Sequence, residues 1–157
     1  MGDLSKLGFV FPPYTFLVEK GKIAEFTRAV FQKENSQPVD CLYTNTEIAK
    51  AEGFKDIIVP PTFQTCCALW AGGGIMEIVG TLGINLMRLL HGEEAYEYFA
   101  PIYAGDALTS LTKVVEIYQK KKKDKPGKFM DFTVLETEIK NQNGELVIKS
   151  RTTLVER

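Results

Sequence analysis

Histidine is almost absent from this chain: of 157 residues, only His91 is one. Its unperturbed pKa lies near neutrality, so histidine-dependent acid–base chemistry has a single place to reside. Cysteine is scarce as well. Cys41, Cys66 and Cys67 are odd in number, two of them adjacent, and no CxxC pair occurs. That argues against a disulfide framework or a thiolate metal site and for a reducing compartment. Excess charge is missing too. The net charge is −1, so no global field draws in nucleic acid or an anionic membrane. No apolar run approaches a membrane span. No basic stretch followed by an apolar one stands at the N-terminus, and the expected location is the cytoplasm.

What is present is ordinary globular composition, with 45% hydrophobic and 25% charged residues. The length suits one domain over residues 1–157, able to bury a core without cross-links. Met1–Pro13 reads as an irregular arm in which Phe9 and Phe11 pack on something. Tyr14–Val18 is a short strand. Lys22–Gln32 is a helix with Ile23, Phe26 and Val30 along one face. Asn35–Thr44 lacks periodicity and is a loop. A short helix follows, capped by Asn45 or Thr46 and stopped at Gly53. Phe54–Val59 is extended up to Pro60-Pro61.

Thr62 is expected to start the most apolar helix. Phe63, Cys66, Cys67, Leu69 and Trp70 cover most of its circumference, which predicts burial. Gly72-Gly73-Gly74 ends or loosens it. Ile75–Leu90 reads as a second helix, interrupted at Gly80 and Gly83. From Ala95 the period becomes two. Ala107–Tyr118, Phe129–Lys140 and Glu145–Glu156 are long, rich in Val, Ile, Thr and Phe, and split by turn signals, Asn143-Gly144 among them. Four consecutive strands after one buried helix predict an α+β fold, an antiparallel sheet wrapped round a central helix.

The order of short motifs is informative. Pro60-Pro61-Thr62-Phe63, then His91-Gly92-Glu93-Glu94, then Pro101 and Ala104-Gly105-Asp106 resemble the N-terminal MaoC-like dehydratase family. The likeness runs from near Tyr14 to Arg151-Thr152-Thr153-Leu154-Val155. It implies a hot-dog fold and work on acyl thioesters: hydration of a trans-2-enoyl thioester to the (R)-3-hydroxy form, or the reverse dehydration. No cofactor is implied beyond the coenzyme A or acyl carrier protein that carries the substrate, and no metal.

The resemblance also implies a machinery. In the family an aspartate and a histidine hold and activate a water, while backbone N–H groups at the start of the central helix bind the enolate oxygen. Pro61, Thr62 and Phe63 match that helix start, although proline and threonine also begin helices with no such role. The acid–base pair is not matched. Counting back from Ala51-Glu52-Gly53-Phe54, the histidine position falls at Tyr43 and the following acidic position at Asn45. The aspartate position falls near Pro38, or at Asp40 if the loop is shifted. A phenol is a poor base near neutral pH, with an ordinary pKa of about 10. In this the chain resembles the substrate-binding subunits of the heterodimeric mycolic-acid-pathway dehydratases, whose partner hot-dog subunit supplies the pair.

The remaining weak catalytic candidates are Asp40 and His91. Tyr43, Pro61, Thr62, Phe63 and His91 are the expected substrate-binding residues. The plainer reading of His91 is a structural histidine at a strand start, and one of Glu93 and Glu94 is a solvated strand residue. Lys120 to Lys128 carries six lysines in nine residues. It can attract coenzyme A phosphates or an acidic carrier protein, but a solvated hairpin loop is the better reading, since a loop tip need not lie near the thioester. Cys66-Cys67 is expected in the core, and Gly72-Gly73-Gly74 lacks the context of a phosphate loop.

Three functions stay open on these residues: the acyl-binding half of a hydratase paired with a catalytic hot-dog subunit, a self-sufficient homodimeric (R)-enoyl-CoA hydratase, and a non-enzymatic acyl-thioester binding module. A hot-dog thioesterase is a weaker fourth. No nucleic acid or membrane partner is expected.

Overall fold

The computed structural model describes residues 3–31, 33, 41–70, 73–122 and 127–157. Its frame is one antiparallel sheet of five strands in the order β1-β3-β4-β5-β2. These are β1 (Tyr14–Leu17), β2 (Leu89–Tyr98), β3 (Ala107–Lys121), β4 (Phe129–Lys140) and β5 (Leu146–Glu156). Among the described residues the α-helices are α1 (Lys20–Phe31), α2 (Thr46–Ala51), α3 (Thr65–Trp70) and α4 (Gly74–Leu82). The mixed helices and antiparallel sheet agree with the α+β expectation.

The three long strands follow from unbroken patterning. β-Branched and aromatic residues suit a half-buried pleated surface. The β4–β5 hairpin closes with Asn141 N–H donating to the Glu145 carbonyl at 2.9 Å and Gly144 at φ 78°. Glycine takes that left-handed conformation without steric cost.

The core has two clusters. In one, the fully buried Phe63 meets Phe16 of β1 edge-on, with ring centroids 6.2 Å apart, and Phe26 of α1 at 5.5 Å. Ile23, Leu108, Val147 and Ile148 are among the other members of this cluster. Phe63 thus pins the entry to α3 against both β1 and α1, and burying such a side chain contributes about 1.5–3 kcal/mol. The second cluster joins Phe11, Leu82, Val114, Leu135 and Leu154.

Several expectations need correction. The apolar helix begins at Thr65, not Thr62. Thr62 has φ 69°, a rare conformation for a β-branched residue. The turn that follows is closed by i→i−3 bonds: Phe63 N–H to Pro60 O, Thr65 N–H to Thr62 O and Cys66 N–H to Phe63 O. Burial is also one-sided. Cys66 and Cys67 are buried, whereas Leu69 is 66% exposed.

The second helix stops at Leu82, where Gly83 takes φ 65° as a left-handed cap. β2 then starts at Leu89, well before Ala95. Its early half hid in the sequence because a bulge between His91 and Glu93 breaks the period of two. α1 begins two residues earlier than expected, at Lys20. The N-terminal arm is not wholly irregular. It makes a 3-10 turn at Leu4–Lys6, bridges Val10 to Lys113 and buries Phe11.

Candidate functional site

A cavity of about 280 Å³ lies between α3, α4 and one face of the sheet. Its floor is set by strand periodicity: Leu135, Thr137 and Ile139 of β4 alternate with outward residues, as do Ser150, Thr152 and Leu154 of β5. Ala68, Leu69 and Ile78 of the helices cover it. The lining is mostly apolar, and a pocket of this kind suits an alkyl chain with a few fixed polar contacts.

The polar contacts gather at β2. His91 Nε2 lies 3.0 Å from Glu94 Oε2. His91 is 60% exposed at its side chain and Glu94 19%. Glu94 and Gln64 both lie beside the Tyr96 phenol. Burial, with the Glu94 charge beside it, pushes the Tyr96 phenol up to about 12. Gln64 Nε2 further donates to the Tyr98 hydroxyl at 3.5 Å, and the Thr62 N–H donates to the same oxygen at 3.4 Å. Tyr14 lines the cavity too, its phenol raised by burial.

The expected site residues divide between this cavity and other places. His91 lines it; Tyr43, Pro61, Thr62 and Phe63 do not. Phe63 is spent on the core. Pro61 and Thr62 are exposed on the turn before α3. Most N–H groups of that turn are occupied by the bonds described above.

Tyr43 is half-buried and stacks on Phe31 at the end of α1, with centroids 5.8 Å apart and planes at 14°. Burial, with Cys41 nearby, raises its phenol above the ordinary value, which makes it a still weaker source of phenolate. Asn45 is used as a helix cap. Its Oδ1 accepts from the N–H groups of Glu47 at 2.9 Å and Ile48 at 3.3 Å. Asp40 lies outside the described residues, as does most of the Asn35–Thr44 loop. Glu93 is exposed and Glu94 half-buried.

Gln64 and Tyr96 escaped the sequence reading. The one available signal was a lone amide within the apolar run Phe63–Ala68. Of the lysine run, Lys120 sits over the rings of Tyr118 and Phe132, 5.3 Å and 5.0 Å from their centroids. Residues 123–126 lie outside the described set. Among the described residues no three His, Cys, Asp or Glu side chains gather as a metal site, and no helix is long and apolar enough to cross a membrane.

A second cavity of about 290 Å³ lies between the N-terminal arm, the end of α4 and the sheet, with Asp3, Lys6, Asp131 and Glu156 in its wall. Its charged lining suits an acyl chain poorly.

Comparison with known proteins adds kinship to this geometry. The family model described as FAS1-like, dehydratase domain region matches residues 5–150. A UPF0336 protein of Saccharopolyspora erythraea is 35% identical over 156 residues, covering 99% of this chain and 91% of the relative. A Streptomyces coelicolor UPF0336 protein is also 35% identical, over 99% of this chain and 95% of its own length. Among solved structures, the C-terminally truncated HadBC (3R-hydroxyacyl-ACP dehydratase) complex of Mycobacterium tuberculosis matches with TM-score 0.75 and 21% identity, over 96% of both chains. The MaoC-like dehydratase of Rhodospirillum rubrum gives TM-score 0.63 and 20% identity, over 96% of this chain and 91% of that one. The (R)-hydratase from A. caviae involved in PHA biosynthesis gives 0.57 and 19%, over 94% of each. At these identities the likeness establishes the fold, the hot-dog architecture expected from the motifs.

Proposed function

The chain belongs to the FAS1-like dehydratase-region family, with the MaoC-like hot-dog fold, and from that membership we propose that it is the acyl-binding half of an (R)-specific enoyl-thioester hydratase or 3-hydroxyacyl-thioester dehydratase. A second hot-dog subunit supplies the acid–base pair. The observation that carries this reading is Tyr43. The loop position where the resembling enzymes hold a histidine carries a phenol stacked on Phe31, with its pKa raised by burial. The next polar side chain, Asn45, is committed to capping α2. The apolar cavity remains, so binding is kept where proton transfer is not.

Pairing has its own support. β2 is an edge strand of ten residues with Leu90 and Tyr98 exposed, and an open edge of that length invites cover. The HadBC neighbour is itself a complex.

A second reading rests on one specific observation. His91 and Glu94 form a hydrogen-bonded pair in the cavity wall, an arrangement in which a carboxylate orients an imidazole that can take a proton. A self-sufficient homodimer would use that pair.

Hydration of crotonyl-CoA by the purified chain, alone and mixed with a hot-dog subunit carrying an intact aspartate–histidine pair, separates the two. The first reading expects at most a weak residual rate from the lone chain and full activity in the mixture. Full activity of the lone chain overturns it.

A further inference from the structure

The two cavities are consecutive compartments of one groove. β4 and β5 pair with Asp131 opposite Glu156, Thr133 opposite Leu154, Leu135 opposite Thr152 and Thr137 opposite Ser150. Rows two residues apart share one face of a sheet, and these rows line first the charged cavity and then the apolar one. α4 lies over both. Ile75 and Ile78 of its first half line the apolar cavity, and Gly80, Thr81 and Leu82 of its last turn line the charged one. Between the compartments stands a thin partition. Leu154 lines both cavities, and no other described residue does. Leu135 lines only the apolar side and Leu82 only the charged side. All three belong to the second core cluster, where Phe11 and Val114 back them, and Leu154 is 4% exposed. A side chain so enclosed is held in place by its packing.

The place of this partition sets a length. Gln64, Thr65 and Tyr96 put polar groups at the α3 end of the apolar cavity, with Tyr96 opposite Ser150 in the sheet. From the Thr137–Ser150 row to the Thr133–Leu154 row is four residues of strand, about 13 Å at roughly 3.3 Å per residue. An extended octanoyl chain is shorter than that span, and an extended tetradecanoyl chain is longer. A chain that outgrows it meets Leu154. Beyond Leu154 lie Asp3, Lys6, Asp131 and Glu156, and charged groups lose hydration against an alkyl chain.

We propose that Leu154 is the specificity-determining residue for acyl-chain length: it closes the apolar cavity at medium chains, and its truncation opens that cavity into the compartment beyond. This rests on the acyl-binding reading above, which leaves chain length unassigned.

The test is calorimetric titration of the full chain with unacylated coenzyme A, octanoyl-CoA and tetradecanoyl-CoA, the last kept below its micelle-forming concentration. The parent chain is expected to bind octanoyl-CoA at least as tightly as tetradecanoyl-CoA. Leu154→Ala is expected to bind tetradecanoyl-CoA about tenfold tighter than the parent does, with octanoyl-CoA changed little. Each methylene newly buried adds roughly fourfold in affinity, so two suffice. Leu154→Val serves if the alanine variant does not melt cooperatively, with a gain of about threefold expected. Leu82→Ala is the control: it loosens the same cluster from the charged side and is expected to leave the chain-length preference as it was. Tighter binding of tetradecanoyl-CoA than of octanoyl-CoA by the parent overturns the role of Leu154. So does an unchanged preference in Leu154→Ala, or an equal gain in Leu82→Ala, which would show general loosening instead of a partition removed. Binding of both acylated probes no tighter than unacylated coenzyme A overturns the acyl-binding reading beneath it.

Discussion

His91 and Glu94 stand three positions apart on β2, yet their side chains meet, with Nε2 3.0 Å from Oε2. In a regular strand residues three apart point to opposite faces. The bulge between His91 and Glu93 inserts the extra residue that brings both to the cavity side. Gly92 is the residue that permits it. A Cβ built there would lie 2.6 Å from Val155 Cγ2 and 3.1 Å from the Thr153 carbonyl oxygen.

Gly92→Ala should therefore destabilise the chain. The methyl group meets β5 rather than solvent, and overpacking of this kind costs about 1–3 kcal/mol. Urea denaturation should show a lower midpoint with an unchanged slope. An unshifted midpoint would mean that β5 yields freely and that the bulge does not depend on glycine.

Asp56 predicts a pH dependence. Its carboxylate accepts from the Thr46 hydroxyl at 2.8 Å, from Lys20 Nζ at 3.2 Å and from the Ile57 N–H at 2.8 Å, joining α1, α2 and the segment leading to α3. The Thr46 hydroxyl first, then Lys20 and the Ile57 amide, pull its pKa down to about 2. A carboxyl that is more acidic folded than unfolded binds fewer protons when folded. The stability it adds is complete above about pH 4 and drains away as pH falls toward 2. Asp56→Asn should cost stability at pH 7, and the gap between the variant and the parent should narrow over that window. Partial exposure and salt screening keep the effect modest. A gap independent of pH between 5 and 2 would show that the carboxylate charge contributes nothing.

The thiols should divide by burial. Cys66 and Cys67 are buried, and burial pushes the Cys67 thiol up to about 12 and raises that of Cys66. The thiolate is the reactive form. Titration of the native chain with a disulfide reagent at pH 8 should show Cys41 reacting first, with Cys66 and Cys67 released only on unfolding. Rapid reaction of all three thiols would show that the packing around α3 opens readily.

Strands β3 to β5 were legible because their alternation runs unbroken into turn residues that leave few options. β2 was half-hidden because Gly92 interrupts its period, so Leu89 and Leu90 read as the end of a helix. The start of α3 was misplaced for a related reason: Pro60-Pro61-Thr62 has the composition of a helix cap, yet Thr62 takes φ 69° and the turn runs on to Thr65. Gln64 was illegible as a site residue. Its place in the cavity wall depends on β2, whose Tyr98 hydroxyl accepts from its Nε2 at 3.5 Å. No local pattern announces which strand residues will meet an amide across a cavity.

The lone chain should hydrate enoyl thioesters poorly. The reaction needs a group that takes a proton from water near neutral pH beside the bound thioester. Tyr43 offers a phenol raised by burial, and Asn45 is committed to a cap. His91 is the one imidazole in the chain, but it sits 60% exposed at the cavity rim and is tied to Glu94. General acid–base groups typically contribute roughly 10²–10⁴-fold, so a rate lower by about that factor than a paired assembly gives is expected. His91→Ala should change the residual rate less than threefold, about 0.65 kcal/mol in barrier. Adding a subunit with an intact aspartate–histidine pair should restore the rate. The measurement is initial velocity on crotonyl-CoA for the parent chain, His91→Ala and Glu94→Gln, each with and without that partner. Efficient hydration by the parent chain alone, abolished by His91→Ala and strongly reduced by Glu94→Gln, would move the acid–base role to β2 and make this a self-sufficient enzyme.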